Sequence, residues 1–263
     1  LSWTYPPTVV GAFLDQTFTL TNTGDVASGS VSISVSGPDY SQWDVNNSTC
    51  FALDPQDSCT FQLTYAPSYA GNHVGLVVAS AMPGGIASSG LTGTALSAAA
   101  LTLVPATGSS AAYGNVLLGD TRTMSFTVTN TGQQASGPLS LSVSGLNASQ
   151  WQVAGGASAC QLGQPLAGGS SCTSAVRFTA SSANGNGVKT ATLTASAMPG
   201  TPATQALSAT VQNPAALSTM TTTHNFGDVT LGSSSSGFTW VVTNTGEVAT
   251  SALSFSNGNA GAF

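Results

Sequence analysis

Charged side chains are scarce in this sequence. Only 5% of its 263 residues are Asp, Glu, Lys or Arg, against roughly 25% in an average soluble domain. The basic ones are Arg122, Arg177 and Lys189, and the formal net charge is −6. Because nucleic acids and anionic membrane surfaces are bound by clustered basic groups, we expect neither as a partner. Ser, Thr, Asn, Gln and Gly must then provide the polar surface, a composition typical of a secreted protein.

Long apolar runs and helical periodicity are also missing. No apolar run reaches the 18 residues that a membrane helix needs, so no membrane insertion is expected within this segment. Apolar residues alternate with polar ones instead, as they do in strands that bury one face.

Residue types suited to catalysis are few. His73 and His224 are the two histidines, and Glu247 is the one glutamate. Both histidines lie at positions of the repeat (described below) that suggest tolerant surface, and no pair of carboxylates recurs at a spacing typical of a glycosidase. The sequence also has no glycine loop of the phosphate-binding kind. We therefore predict that the chain is not an enzyme, has no catalytic residues and binds no cofactor.

Four aspartates leave one alternative open. Asp39, Asp44, Asp54 and Asp57 fall in or near one cysteine loop, where their oxygens could approach one another and hold a calcium ion. The second copy of the repeat has no carboxylates at corresponding positions. Solvated loop aspartates are therefore the favoured interpretation, and no metal site is predicted.

One phrase, Thr-Asn-Thr-Gly, occurs at 21–24, 129–132 and 243–246. Each copy follows an alternating segment and a phrase that begins with an aromatic residue and ends with glycine: YPPTVVG at 5–11, YGNVLLG at 113–119 and FGDVTLG at 226–232. Asn and Gly favour chain reversal, so the phrase predicts a turn rather than an active site. Repetition at this period predicts tandem modules at 1–97, 98–213 and 214–263, the third containing only its N-terminal part.

Many short strands with frequent turn signals predict all-β, immunoglobulin-like sandwiches. Trp43 and Trp151 recur at the same distance from their respective Asn, and core anchors are favoured over sugar-stacking platforms. Trp240 aligns with Phe18 and Phe126, so it is also predicted to belong to a core.

The four cysteines form two close pairs at corresponding places in the first two modules. Zinc sites need CxxC-like spacings with histidine support, and neither is present. We therefore predict the disulfides Cys50–Cys59 and Cys160–Cys172, which imply an oxidising compartment.

The aromatic-Gly-x-Val-x-x-Gly opening, the TNTG turn and the cysteine hairpin followed by AVRF resemble bacterial choice-of-anchor D repeats, which are similar to the ASPM/SPD-2/Hydin family. The resemblance is clearest over 101–211 and implies seven-or-so-stranded immunoglobulin-like domains in large secreted or surface-attached bacterial proteins. The first copy departs from the pattern, because Pro6 and Pro7 stand where the other copies have Gly-Asn or Gly-Asp. Its opening strand is therefore doubtful.

These features predict a semi-rigid rod of modules in an extracellular or cell-surface stalk, filament, sheath or adhesin. The linkers are short, and Pro214 stiffens the second. A carbohydrate- or protein-binding module is the alternative. Val74, Leu76 and Val78 form an aliphatic stripe where the second module has Thr190, Thr192 and Thr194, which suggests a packing site for another chain or domain. Local twist or a covering loop is the alternative interpretation of this stripe. Neighbouring modules and other protein subunits are the expected partners.

The third module contains about two strands of a full sandwich. Trp240, Val242, Leu253 and Phe255 would then have no opposing sheet. We expect this module to be completed either by further sequence or by strands of a neighbouring subunit, so Trp240 and Phe255 are candidate interface residues.

Overall fold

The computed structural model describes residues 1–105, 111–154, 160–183 and 185–256. Within these ranges the regular secondary structure consists of β-strands and two short 3-10 helices, Tyr40–Gln42 and Ala148–Gln150, so the predicted all-β class is confirmed. In residues 1–97 the strands are β1 (Ser2–Thr4), β2 (Thr8–Val9), β3 (Leu14–Thr21), β4 (Ser32–Ser36), β5 (Trp43–Asn46), β6 (Ser58–Tyr65), β7 (Gly71–Ala81) and β8 (Gly85–Leu96).

The first module is a two-layer sandwich. One sheet has the order β1-β8-β7-β4, with β2 beside β8, and the other has the order β3-β6-β5. The doubtful opening strand is present but interrupted, because Pro6 and Pro7 lie between β1 and β2 and belong to neither. Proline lacks the N–H that a strand needs for its ladder, which accounts for the gap.

The second module repeats this architecture with the same number of strands, because one strand, β10, replaces β1 and β2, and an opening strand, β9, is added. Its strands are β9 (Leu101–Pro105), β10 (Ala112–Leu117), β11 (Thr121–Asn130), β12 (Ser140–Ser144), β13 (Trp151–Ala154), β14 (Ser171–Thr179), β15 (Gly187–Ser196) and β16 (Ala203–Gln212). The sheet orders are β10-β16-β15-β12 and β13-β14-β11-β9. Tandem β-sandwiches are thus confirmed, one formed by β1–β8 and one by β9–β16.

Alternating residues of both sheets meet in each core. In the first module the buried cluster contains Trp43, Leu63, Tyr65 and Leu91, and in the second a separate cluster is centred on Phe126 and Phe178. Leu63, Leu91, Phe126 and Phe178 are fully buried.

A tyrosine joins the two sheets of each sandwich. The Tyr5 hydroxyl donates to the Leu63 carbonyl at 2.9 Å, and the Tyr113 hydroxyl donates to the Val176 carbonyl at 2.8 Å. Burial raises the pKa of both phenols above the ordinary value. These are the aromatic residues that open the first two copies of the repeat; the third copy has Phe226, which has no hydroxyl.

The phrase Ser-Ala-Met-Pro-Gly occurs at 80–84 and 196–200, and in both modules it forms a turn that contacts a distant loop. The Met82–Pro83 and Met198–Pro199 peptide bonds are both cis. The Pro83 carbonyl accepts a hydrogen bond from the Gly29 N–H at 2.7 Å, and the Pro199 carbonyl accepts one from the Gly137 N–H at 2.8 Å. The phrase therefore recurs because both modules use it for the same packing contact.

The third module has little regular structure among its described residues. Only β17 (Leu217–Thr219) and β18 (Val242–Asn244) pair. The alternation of Leu253 and Phe255 predicted a strand, but residues 251–256 contain none. Trp240 is 43% exposed, and no second sheet covers it within residues 214–256, as expected for an incomplete module; its place in a core stays a prediction.

Both predicted disulfides are present, Cys50–Cys59 and Cys160–Cys172. Each closes a hairpin-like loop beside a long central strand, β6 or β14. Cys50, Cys59 and Cys160 are buried, and Cys172 packs against the core of its module. The bonds thus connect the edge of each core to the loop that precedes the strand.

Removing a disulfide should destabilise its own module. The Cys160→Ala/Cys172→Ala variant should lose roughly 2.5–3 kcal/mol of unfolding free energy, because the unfolded chain regains the entropy of an open loop. Urea unfolding followed by near-UV circular dichroism measures this loss. The matched Cys50→Ala/Cys59→Ala variant should show a loss of similar size in the first module. Unchanged unfolding midpoints in both variants would contradict the prediction.

Candidate functional site

The turns that follow β11 and β18 bind the linkers that enter their modules, residues 97–100 between β8 and β9 and residues 213–216 between β16 and β17. The side chain of Asn130 is central to the first of these sites. Its Oδ1 accepts hydrogen bonds from the N–H groups of Ala100 and Gly132, each at 3.1 Å, and its Nδ2 donates to the carbonyls of Gln134 and Leu166. Asn130 is fully buried. One amide therefore holds its own turn, the cysteine loop and the incoming linker together.

Two further residues of the turn bind the same linker. The Thr131 N–H and hydroxyl both donate to the Ala100 carbonyl, at 2.8 and 3.1 Å. The Gln133 Oε1 accepts from the Ser97 N–H at 3.0 Å, and the Gln133 N–H donates to the Ser97 hydroxyl, also at 3.0 Å. Because Ser97 follows β8 directly, these bonds connect the end of the first module to the second.

The second junction uses the same contacts. The Asn244 Oδ1 accepts from the Ala216 N–H at 3.1 Å, and the Thr245 N–H donates to the Ala216 carbonyl at 2.7 Å. The Glu247 carboxylate accepts from the Asn213 N–H, while the Glu247 N–H donates to the Asn213 carbonyl. The single glutamate of the chain thus lies where the first junction has Gln133, and it bonds to the linker rather than to a substrate.

Glycine is required in these turns because the linker backbone touches them. A Cβ at Gly132 would lie 2.0 Å from the Ala98 carbonyl oxygen, and one at Gly246 would lie 2.1 Å from the Pro214 carbonyl oxygen. In the first module the nearest atom to a Cβ at Gly24 is the Asn22 Oδ1, at 3.3 Å. Gly132 and Gly246 therefore leave the space that the linker backbone occupies in the second and third modules.

The predicted turn is confirmed, but its contact with the linker was not predicted. The Asn22, Asn130 and Asn244 side chains each accept a hydrogen bond from the N–H two residues later, as expected for such turns. A signal for the additional contact was available: both linkers are short and consist mainly of small residues, which permit close approach of two backbones.

The tryptophans of the first two modules are core residues, as predicted. Trp43 and Trp151 are 3% and 5% exposed. The Trp151 ring lies 4.5 Å from that of Phe178, and the Trp43 ring lies 5.2 Å from that of Tyr65. Neither indole presents a face to solvent on which a sugar could stack, so the sugar-stacking alternative is wrong for these two residues.

His73 does not lie on the surface, and the prediction of a tolerant surface position is wrong. His73 and its counterpart Lys189 are each 1% exposed. The His73 Nδ1 lies 2.8 Å from the Tyr65 hydroxyl, and the Lys189 ammonium donates to the carbonyls of Ala183 and Gly185. Burial, followed by the nearby Asp39 charge, raises the pKa of Tyr65 to about 12. The strand periodicity already indicated that His73 is buried, because His73 lies on the same inward face of β7 as Val77.

Asp39 is a hydrogen-bond acceptor in a loop. Its Oδ1 accepts from the Tyr69 hydroxyl at 2.5 Å, and its Oδ2 accepts from the Val74 N–H at 2.8 Å. The Tyr69 bond, and then the Val74 bond, lower the pKa of Asp39. In the described part of the chain no three His, Cys, Asp or Glu residues form a group that could hold a metal ion, so the calcium alternative for Asp39, Asp44, Asp54 and Asp57 has no support.

The candidate interface residues lie on two separate surfaces. Val74 and Leu76 are 50% and 39% exposed on the outer face of β7, and Val78 is half-buried beside them. Trp240 lies in an aromatic group with Phe238 and His224, in which the His224 ring stacks on the Phe238 ring at a centroid distance of 3.7 Å. Phe255 is exposed. Val74, Leu76 and Val78 thus lie together on β7, as predicted from their spacing.

Comparisons with known proteins identify no family. No family model matches the sequence, and no curated protein matches it either. Among solved structures, an ASH/PapD-like domain of human CEP192 is 16% identical and covers 36% of this chain and 81% of its own, with a TM-score of 0.29. The protocadherin GammaB4 extracellular domain is 10% identical and covers 82% of this chain and 32% of its own, with a TM-score of 0.45.

A third similar structure is a protein of unknown function from Porphyromonas gingivalis W83, which is 14% identical and covers 80% of this chain and 96% of its own, with a TM-score of 0.30. Because these TM-scores are below 0.5, the similarities carry no inference about function. The resemblance to choice-of-anchor D repeats stays a prediction. In the described residues, no helix has the length and apolar character needed to span a membrane.

The junction contact predicts different effects for one substitution at equivalent glycines. Gly132→Ala should destabilise the second module by at least about 2 kcal/mol, because the new methyl group overlaps the Ala98 carbonyl. Gly24→Ala should change the stability of the first module by less than about 0.5 kcal/mol, since no linker lies against it. Thermal and urea unfolding of both variants test this. Equal effects at the two positions would contradict it.

Acid should weaken the loop that Asp39 supports. Because folding lowers the pKa of Asp39, its stabilising contribution is present above the unfolded pKa of about 4 and is lost as the pH falls through the lowered value. Asp39→Asn should therefore be less stable than wild type at pH 7, and the difference should shrink towards pH 2. The variant retains an oxygen for the Val74 N–H, as Asn147 does for Thr190 in the second module. Urea unfolding at pH 7, 4 and 2 measures the trend; a constant difference would refute it.

Proposed function

We propose that this chain is a non-enzymatic structural repeat segment of a secreted or cell-surface bacterial protein, in which modules 1–97, 98–213 and 214–263 form a semi-rigid rod. The observation that carries the proposal is the set of hydrogen bonds from the Asn-Thr-Gly turns to both linkers. A flexible connection would leave the linker backbone to bind water. Here the Ser97 N–H, at the end of the first module, donates to Gln133 of the second, and the Asn213 N–H, at the end of the second, donates to Glu247 of the third. Ala100 and Ala216 of the same linkers are bonded to Asn130 and Asn244 within their own modules.

Other observations support an extracellular role. The two disulfides fit an oxidising compartment. The buried histidine and lysine make hydrogen bonds inside their own modules, which supports structural rather than catalytic roles for them. The proposed setting is a stalk, filament, sheath or adhesin of the kind implied by the resemblance to choice-of-anchor D repeats.

Small-angle X-ray scattering tests the rod. A narrow range of relative orientations of the first two modules should account for the wild-type scattering curve. Insertion of Gly-Ser-Gly-Ser between Ala98 and Ala99 separates the bonds of Ser97 from those of Ala100, and should broaden that range without lowering the melting temperature of the first module. Wild-type scattering that already requires freely jointed modules would contradict the proposal.

Protein binding is the second candidate function, and the outer face of β7 favours it. Val74, Leu76 and Val78 form an aliphatic stripe beside the serines of β4, whereas the second module has threonines at the same places. Exposed stripes of this kind are typical of contact surfaces between subunits. The proposed partner is a second copy of this chain.

Sedimentation velocity tests that contact. Wild type should self-associate with increasing concentration, and Val74→Thr/Leu76→Thr/Val78→Thr, which copies the second module, should remain monomeric. Thr190→Ala/Thr192→Ala/Thr194→Ala is the matched control and should behave as wild type. A wild-type chain that stays monomeric at millimolar concentration would overturn this candidate.

A further inference from the structure

The outer face of one sheet in the first module carries two carboxylates in a single row. Asp15 of β3 and Asp44 of β5 are both paired with Thr64 of the central strand β6, one on each side. Both aspartates are exposed, and the Thr64 hydroxyl donates to the Asp15 Oδ1 at 2.5 Å. The other outward residues of these three strands are serine, threonine, asparagine and glutamine. Asp15, Thr64 and Asp44 thus form a carboxylate row on an otherwise uncharged face.

The equivalent row of the second module carries a guanidinium instead. Arg177 of β14 is paired with Thr123 of β11 on one side and with Gln152 of β13 on the other, in the register of the carboxylate row. The Arg177 side chain is exposed, and its Nη2 donates to the Gln152 Oε1 at 2.6 Å. Arg122, which belongs to the other face of β11, donates to the Tyr113 carbonyl. Thr123, Arg177 and Gln152 thus form an arginine row on an otherwise uncharged face.

The few charges of the chain are divided unevenly between these two modules. Residues 1–97 hold six of the nine acidic residues and neither lysine nor arginine, whereas residues 98–213 hold the three basic residues and a single aspartate. Like charges placed opposite each other across an interface are unfavourable, and opposite charges attract. Contact between a first and a second module is therefore favoured over contact between two modules of the same kind.

We propose that the carboxylate row binds the arginine row of a second copy of this chain, with the guanidinium of that copy's Arg177 between Asp15 and Asp44. Charge complementarity identifies the occupant, since the chain itself carries the fitting cation at the equivalent place of its other module. Neighbouring strands are about 4.8 Å apart, so the Cα atoms of the two aspartates flank a space of about 10 Å. The inference does not depend on the proposed rod, because each contact needs only one module from each copy.

Both rows keep free hydrogen-bonding capacity for this contact. An arginine side chain has five N–H donors in a planar fork, so Arg177 can bond to a carboxylate of another copy while it keeps its bond to Gln152. Asp15 has a second carboxylate oxygen beside the one that accepts from Thr64. Neither copy therefore has to break an internal hydrogen bond when the rows meet.

The contact can form twice in one pair of copies. Each copy presents both rows, so a two-fold arrangement brings the second carboxylate row to the second arginine row. The outward residues next to the two rows are small or neutral and bring no further charge: Thr17, Gln62, Ser125 and Thr179. Single exposed ion pairs contribute little at ordinary ionic strength, so the contact serves copies that are already held side by side.

Exchanging the charges tests the pairing on the complete 263-residue chain. Arg177→Glu and Asp15→Lys/Asp44→Lys each place like charges in opposing rows, so each variant alone should associate weakly. A mixture of the two should associate at least about tenfold more strongly than either alone, a difference of about 1.4 kcal/mol, because opposite charges face each other again. Sedimentation velocity in about 0.05 M salt, where the screening length lies between about 10 and 30 Å, measures the gain. The aliphatic stripe on β7 is the same in both variants and does not contribute to the difference.

A matched variant separates the carboxylate row from net charge. Asp25→Lys/Asp57→Lys makes the same change in charge at exposed loop positions next to the other end of β3 and β6. Its mixture with Arg177→Glu should gain no association. The gain of the first mixture should vanish at about 1 M salt, where the screening length is about 3 Å. A first mixture no stronger than its components, or an equal gain with the matched variant, would overturn the proposal.

Zero-length cross-linking tests the register. With Arg177→Lys, a carbodiimide should join the amine at this position to Asp15 or Asp44 by an amide bond. A mixture of isotope-labelled and unlabelled chains should then give linked peptides of mixed isotope composition. Lys189, the one lysine of the natural chain, is buried and should link far less. Links that always join peptides of one copy, or equally abundant links to the other aspartates of the first module, would refute the contact between the rows.

Discussion

A backbone carbonyl occupies the space that a side chain would need at Gly132 and at Gly246, and the junctions are built around this approach. The glycine brings the linker close enough for the asparagine amide to bind both the linker and its own turn. Because buried amide groups are costly when unpaired, the same amide also fixes the cysteine loop through the Leu166 carbonyl. The turn, the linker and the loop before β14 therefore depend on one another.

Much of the fold followed from period-two alternation. It predicted the sandwich class, and it placed Trp43 and Trp151 in cores, because the residues of one strand face must be buried together. The disulfide pairs also followed from spacing and from the lack of zinc-binding companions. The expectation that His73 lies on the surface was wrong because its polarity was given more weight than its place in the strand period. His73 and Lys189 both lie on inward faces, where the His73 Nδ1 contacts the Tyr65 hydroxyl and the Lys189 ammonium donates to backbone carbonyls.

The junction contacts were less accessible to sequence reasoning. Alternation describes which face of a strand is buried, but it does not describe how a loop meets the backbone of another segment. The three copies of Thr-Asn-Thr-Gly read alike, and nothing in their residues shows that the glycines of the second and third copies lie against a linker backbone. Likewise, alternation predicted a strand through Leu253 and Phe255, yet a strand also needs a partner, and residues 251–256 have none.

The scarcity of charge has a consequence for the first junction. Asn130, Thr131 and Gln133 bind their linker entirely through neutral groups. Dissolved ions weaken attraction between opposite charges over roughly 8–10 Å at ordinary ionic strength, but they screen short neutral hydrogen bonds very little. A connection of this kind keeps the same strength in dilute medium and in brine.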